Sequence, residues 1–424
     1  MGNTLSRRAL LTRLVGGAGG AAATAVMLPS NALAQHAHGQ AHAHHGAGEP
    51  GSAAAREIAG EHADHPMIPR IEKGRRYSPP PATMGQQMGR VVTPGQPPIG
   101  YEMDGEVKVF RLILQPTWVT ITEGKEYPDK GKWTYMPSWP KKALAWGMNG
   151  ICPGPTLEAT EGDRVRIIVR NELPEPTSLH WHGFELPFRE DGAASWFPHS
   201  AQQPILPNEE HVYEFSLIQS GTLMYHSGFN VMKQEGMGVA GMFVVHPKDD
   251  PDPPDREFAI LLQTWHFQPD NPNPDLVMME PTYATFNGKT SPYLDWMRVK
   301  QGEKVRIRIG NLSLMAHPIH LHGYTFQIVG TGGGPIPETA RWDDVTVNVP
   351  PGSSRDIEFV AWNPGNWRFH CHILHHVMNQ MADTPMGIHA PEGMFTIFSV
   401  EPSDPGYDIH SPRAPWVGPN GERP

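Results

Sequence analysis

The stretch EGDRVRIIVRN (161–171) returns as QGEKVRIRIGN (301–311), and the offset of 140 also sets His180-Trp181-His182-Gly183 on His320-Leu321-His322-Gly323. At an offset of 144, LPNEEHVYEF (206–215) matches PPGSSRDIEF (350–359), and MYHSG (224–228) matches RFHCH (368–372). GMFVV (241–245) echoes GMFTI (393–397). A chain that repeats itself at this spacing builds one folding unit twice. Within the repeats Val165, Ile167 and Val169 alternate with Arg164, Arg166, Ile168 and Arg170, and Val305, Ile307 and Ile309 alternate with Lys304, Arg306 and Arg308. That period of two is the mark of a strand, and no long 3.6-period segment competes with it. The expectation is an all-β chain of two related β-sandwich domains, at 105–247 and 248–402. The acidic, proline-rich PKDDPDPPDRE (247–257) marks the break between them.

The length agrees, because 424 residues exceed the roughly 250–300 at which a single core stops growing. The 45 Pro and 44 Gly favour loops and turns over long helices. A formal charge of −10 makes nucleic acid and anionic membrane surfaces poor partners. Residues 1–34 read as an export leader: Ser6-Arg7-Arg8-Ala9-Leu10-Leu11 precedes a small apolar run, and Ala32-Leu33-Ala34 fits an A-x-A cleavage site. The paired arginines resemble a twin-arginine signal, so the mature chain is expected in the periplasm or otherwise outside the cytoplasm. The apolar run is too short and too rich in Gly and Ala to span a membrane well. Residues 35–104 are His-, Pro- and Gly-rich and expected to be irregular, as is the tail 403–424; the tract from His36 to His45 would bind metal loosely or serve as a linker.

Chemistry concentrates in the histidines. Neutral imidazole is the commonest transition-metal ligand, and thiolate is the strong soft one. In a strand, residues i and i+2 point the same way. His180/His182, His320/His322 and His370/His372 therefore each present two imidazoles to one side, while Cys371 points to the other. Two kinds of site follow, one of histidine pairs and one containing the thiolate. Cys371, His376 and Met381, with His317 from the preceding motif, make the ligand set of a blue-copper centre with a weak axial thioether. His375 is the alternative to His376. Cys152, the other of two cysteines, reads as a buried structural thiol.

HWHG (180–183), YHSG (225–228), HPIHLHG (317–323) and HCHILHHVMNQM (370–381) resemble the four copper motifs of the multicopper oxidases, over about residues 105–400. NGICPGPTLEATEGD (149–163) is similar to the opening strands of that family. With two domains and the thiolate in the second, the chain looks like the small two-domain laccases. The resemblance implies cupredoxin-like Greek-key sandwiches and a copper-dependent oxidoreductase. It implies a type 1 copper on His317, Cys371, His376 and Met381, and a type 2 copper on His180 and His320. It implies one type 3 copper on His182, His226 and His372, and its partner on His322 and His370. Electrons from a phenolic, Cu(I) or other small reductant would pass through Cys371 and its flanking histidines to a cluster that reduces O2 to water. The cluster of two-domain members lies between subunits, which implies a homotrimer by analogy.

One position departs from the pattern. Gly228 stands where the family carries the histidine that would complete the His322/His370 copper. Three readings follow: substitution by His199, Asn230, Lys233 or Glu235; a site left with two imidazoles; or loss of the pair, giving a centre with the logic of a copper nitrite reductase. Asp191 matches an acidic residue that supplies protons at the family's cluster, the plain alternative being a turn at Asp191-Gly192. Clustered methionines at 232–242 and 378–394 suggest Cu(I) as reductant, or else simple core filling. A non-catalytic copper-binding or electron-transfer protein is the reading outside enzymes.

Overall fold

The computed structural model describes residues 87–121, 142–268, 271–291, 293–378 and 393–407. They form two sandwiches, each of two sheets. The first packs a six-stranded sheet, built around Val107–Thr120, Arg164–Asn171 and Glu210–Ser216, on a four-stranded sheet ordered Leu157–Thr160, Ala240–His246, Gly221–Ser227, Leu179–His182. The second packs an eight-stranded sheet around Arg256–Trp265, Lys304–Asn311 and Ser353–Val360 on a five-stranded sheet. That sheet is ordered Met297–Lys300, Phe395–Glu401, Gly365–Cys371, His317–Leu321, Thr346–Val349.

The sequence repeat is a repeat of pairing. Arg164–Asn171 runs parallel to Val107–Thr120 and antiparallel to Glu210–Ser216. Lys304–Asn311 likewise runs parallel to Arg256–Trp265 and antiparallel to Ser353–Val360. Val165, Ile167 and Val169 are fully buried, as are Val305, Ile307 and Ile309, so the period of two does place one face of each strand in a core. The first core gathers Phe110, Trp181, Tyr213, Phe215 and Phe243, and the second Phe286, Phe326, Phe369 and Phe398.

Between the sandwiches lies a small apolar cluster that includes Met224, Met242, Val244, Ala259 and Leu261. Beside it sits a buried polar knot. Arg308 is 2 % exposed and pairs with Glu257 at 2.7 Å and Asp356 at 3.0 Å. Thr222 from the first sandwich donates its hydroxyl to Asp356 at 2.6 Å, and Ser354 donates to the Thr222 carbonyl. Charges buried this completely are retained only with partners, so the knot ties the two units in one register.

Residues before 105 are less irregular than their composition suggests. Gln87–Met88, Val91–Val92 and Gly100–Asp104 are strands, and Val91–Val92 pairs with Glu257–Phe258 of the second sandwich. The Glu158 carboxylate accepts the backbone N–H groups of Arg90 and Val91 at 2.8 and 3.1 Å, holding this segment across the junction. Met237, Met242 and Met394 are buried in the cores, which fits gap filling for these three; Met232 is exposed. Residues 1–34, read above as a leader, the histidine tract, Met381, Met386 and the tail from 408 lie outside the described residues.

Candidate metal centres

Cys371 ends the strand Gly365–Cys371, and its side chain is fully buried in the second core. His317 opens the adjacent strand, and the short helix Leu374–Met378 returns His376 beneath the thiol. The Cys371 Sγ lies 3.7 Å from His317 Nδ1 and 3.7 Å from His376 Nδ1, and the two nitrogens are 3.0 Å apart. An ion bound to nitrogen at about 2.0 Å and to thiolate at about 2.3 Å, with angles near 120°, needs an N–S separation of about 3.7 Å. The donors thus fit a single soft ion. Ser313 Oγ, 2.7 Å away, occupies the far nitrogen of His317 and turns Nδ1 inward. The Ile373 backbone N–H donates to Cys371 Sγ at 3.5 Å, a contact that tunes thiolate centres. His375 is exposed on the same helix and touches the His376 ring from outside. Met381, the predicted axial ligand, lies outside the described residues.

Burial sets the protonation of this trio. Desolvation lowers His317 to about 3; it lowers His376 to about 4, helped by the neighbouring His375. Both imidazoles are therefore neutral donors at neutral pH. Burial pushes the Cys371 thiol up to about 11, so a bound cation must displace its proton.

The imidazole pairs occupy equivalent places in the two units. His180 is the cross-strand partner of His226, and His320 that of His370. Trp181 and Leu321, between the histidines of each pair, fill the cores behind them. Backbone carbonyls choose the tautomers. His180, His226, His320 and His370 direct Nδ1–H at the carbonyls of Asp191, Ser227, Val345 and Cys371, at 2.8, 2.9, 2.6 and 2.7 Å. His182 directs Nε2–H at the Gly352 carbonyl at 2.8 Å. The free donor atoms are then Nε2 of four rings and Nδ1 of His182. His182 Nδ1 lies 3.2 Å from His226 Nε2, and His322 Nε2 lies 3.0 Å from His370 Nε2. A tetrahedral ion with bonds of about 2.0 Å has an edge of about 3.3 Å, so each pair fits one ion. His180 joins His182 and His226 with all donor atoms inside 4.8 Å. The His372 ring lies 5.7 Å from that of His320 and 5.6 Å from that of His370. Burial lowers His226 and His370 to about 4 and lowers His182 and His322 as well. Among the described residues no hydrogen bond or ring contact joins a histidine of the first unit to one of the second.

Gly228 is closed by backbone. A Cβ at this position would lie 2.1 Å from the Gly192 carbonyl oxygen and 2.7 Å from Ser178 Oγ. Gly192 has φ +81 and itself lies against the Leu179 carbonyl. The 191–194 loop is stitched in place: Gly228 N–H donates to the Ser178 carbonyl, Ala194 N–H to the Gly228 carbonyl, and Ser178 Oγ–H to the Gly192 carbonyl. Asn230 and Lys233 are bound to Glu175 and face away. His199 is exposed and joins neither histidine set. Glu235 approaches His226, but from its Nδ1 side at 3.6 Å, away from the donor atom. Asp191 Oδ2 lies 3.4 Å from His180 Nδ1 and accepts the Ala193 N–H, so the turn and the histidine contact coexist.

Two sequence profiles described as multicopper oxidase match residues 131–250 and 265–384. The chain is 30 % identical over 286 residues to a probable nitrite reductase–hydroxylamine oxidoreductase fusion protein of Kuenenia stuttgartiensis, covering 61 % of this chain and 29 % of the relative. It is 32 % identical over 240 residues to laccase-19 of Oryza sativa subsp. japonica, covering 51 % of this chain and 39 % of the relative. It therefore spans well under half the length of these curated relatives. Among solved structures it is similar to the multicopper oxidase mgLAC, with a TM-score of 0.57, 27 % identity, and coverage of 72 % of this chain and 89 % of that one. The two sandwiches are cupredoxin-like, the donor sets suit copper, and the chain belongs to the multicopper oxidase family of oxidoreductases.

Proposed function

We propose that this chain is an exported oxidoreductase that takes single electrons from a small reductant and delivers them to O2. The observation that carries the reading is Cys371. Its Sγ sits among His317 and His376, while its neighbours in sequence, His370 and His372, belong to the imidazole set. One strand end thus serves two donor sets through a handful of covalent bonds. Copper at these donors supplies electron transfer at the thiolate and reduction of the acceptor at the imidazoles.

In this assignment His317, Cys371, His376 and Met381 hold the type 1 ion, and His180 and His320 the type 2 ion. His182, His226 and His372 hold one type 3 ion, and His322 and His370 the other. The two 3.0–3.2 Å nitrogen pairs support the type 3 grouping. Among the described residues no hydrogen bond or ring contact joins the two half-sets within one chain, and in this reading a head-to-tail ring of subunits, a homotrimer, completes the cluster. Asp191 holds a partly exposed carboxyl against His180, placed to pass protons from solvent. Phenols and Cu(I) are the reductant classes this reading takes.

A second reading, nitrite as acceptor, is favoured by the closure around Gly228 and by the name of the Kuenenia relative. Turnover of hydroquinone by copper-loaded protein decides between them. The proposal expects O2 consumption that C371S and H320A both abolish, and sedimentation as a trimer. Turnover with nitrite alone would replace it with the second reading, and no turnover with either would leave a copper-binding protein.

A further inference from the structure

The helix Val231–Gly236 follows directly on the strand that carries His226, and it is clamped. Gln234 is fully buried; its carbonyl oxygen accepts the hydroxyls of Thr177 and Ser227, and its amide donates to Glu175 and the Pro176 carbonyl. Glu175 also holds Asn230 and Lys233. Every polar side chain of the helix except one is therefore committed to anchoring it. The exception is Glu235. Its side chain is 23 % exposed, and among the described residues no lysine or arginine pairs with it. Its ionisable neighbour is the neutral His226 ring, whose Nδ1 lies 3.6 Å from Oε2.

A mostly buried carboxylate without a cation is unfavourable in a folded protein unless a counter-charge arrives. A metal ion on His226 would bring that charge through the ring, since Nδ1 faces Ser227 and Glu235 while Nε2 faces the donor atom of His182. Carboxylates behind metal-bound imidazoles fix ring orientation and raise donor basicity. Asp191 stands in the same relation to His180, whereas His320 and His370 of the second unit are backed by carbonyls and, for His320, by the Thr346 hydroxyl.

We propose that Glu235 is a positioning residue for the His226-held ion: its carboxylate backs the His226 ring as counter-charge and strengthens the first unit's hold on metal, where the neighbouring position 228 contributes no imidazole. The inference rests on the proposed copper cluster. It assigns the helix a purpose beyond packing.

The test uses full-length protein loaded with Cu(I) and oxidised, as wild type, E235Q and E235L. Copper per chain is followed against rising chelator, with the blue thiolate absorption as an internal reference, and melting of the copper-free proteins is measured alongside. The expected result is that both variants release cluster copper at about 10- to 100-fold lower chelator concentration. The blue absorption is expected to be unchanged and the copper-free melting temperature equal or higher. Wild-type retention of copper in both variants overturns the inference and leaves the cluster intact. A lower copper-free melting temperature in both also overturns it, by making the carboxylate structural. If H226A retains as much copper as wild type, the cluster assignment falls and this inference with it.

Discussion

Replacing Gly228 with histidine restores the family's motif on paper, yet the structure predicts that it fails. The obstacle is the Cβ, 2.1 Å from the Gly192 carbonyl oxygen and 2.8 Å from its carbon, both backbone atoms. Relief requires the 191–194 loop to retreat by about an ångström, since overpacked sites respond by backbone shifts. Retreat breaks three hydrogen bonds: Gly228 N–H to the Ser178 carbonyl at 3.0 Å, Ala194 N–H to the Gly228 carbonyl at 3.1 Å, and Ser178 Oγ–H to the Gly192 carbonyl at 2.6 Å. At roughly 0.5–1.5 kcal/mol each, the loss is about 1.5–4.5 kcal/mol. For a domain of this size it lowers the melting temperature by about 5–15 °C. Because the clash begins at Cβ, G228A suffers nearly as much as G228H. Calorimetry of the copper-free proteins, with copper counted after loading, is the assay. Both variants are expected to melt lower, and G228H to gain no copper. A G228H protein that keeps its melting temperature and binds an additional ion would refute the packing argument.

Other consequences are sharper still in single measurements. C371S removes the blue absorption while the imidazole sets keep their copper, because those donors do not include the sulfur. In copper-free native protein neither cysteine reacts with an aromatic disulfide reagent at pH 8, since both are buried and burial raises both thiols, Cys371 to about 11; two thiols appear on denaturation. His226, His317, His370 and His376 stay neutral in the fold down to about 3–4 but bind protons below about 6.5 when unfolded. The unfolded state thus holds more protons in that window. Copper-free stability is complete above about pH 6.5 and falls as pH drops toward 4; a melting temperature flat over that range would contradict the burial described. R308A strands Glu257 and Asp356 in the junction and is expected to cost roughly 3–5 kcal/mol, read by denaturant unfolding.

Much of this could be read from the chain before any coordinates. Strand period and a constant offset are local signals, so the duplicated pairing around Arg164–Asn171 and Lys304–Asn311 was visible in the letters. The split between Cys371 and its flanking histidines followed from the two-residue period of a strand. Other features arise only from tertiary contact. Val91–Val92 has no alternation to betray it, because the Glu158 carboxylate 67 residues away holds it in place. The meaning of Gly228 depends on Gly192 pressing against it, and two glycines 36 positions apart carry no signal of that approach. Glu235 stood among four candidates by proximity in sequence. Only the fold places it behind His226 and turns Asn230 and Lys233 toward Glu175.

The central claim is that one strand joins a thiolate centre to an imidazole cluster that reduces O2. Its most direct test is to bleach the blue absorption anaerobically with a reductant and then admit an acceptor in a stopped-flow cell. The account predicts that O2 restores the colour rapidly in wild type, that H320A stays bleached, and that nitrite does nothing. Recovery at the same rate in H320A, or recovery with nitrite and not with O2, would contradict it.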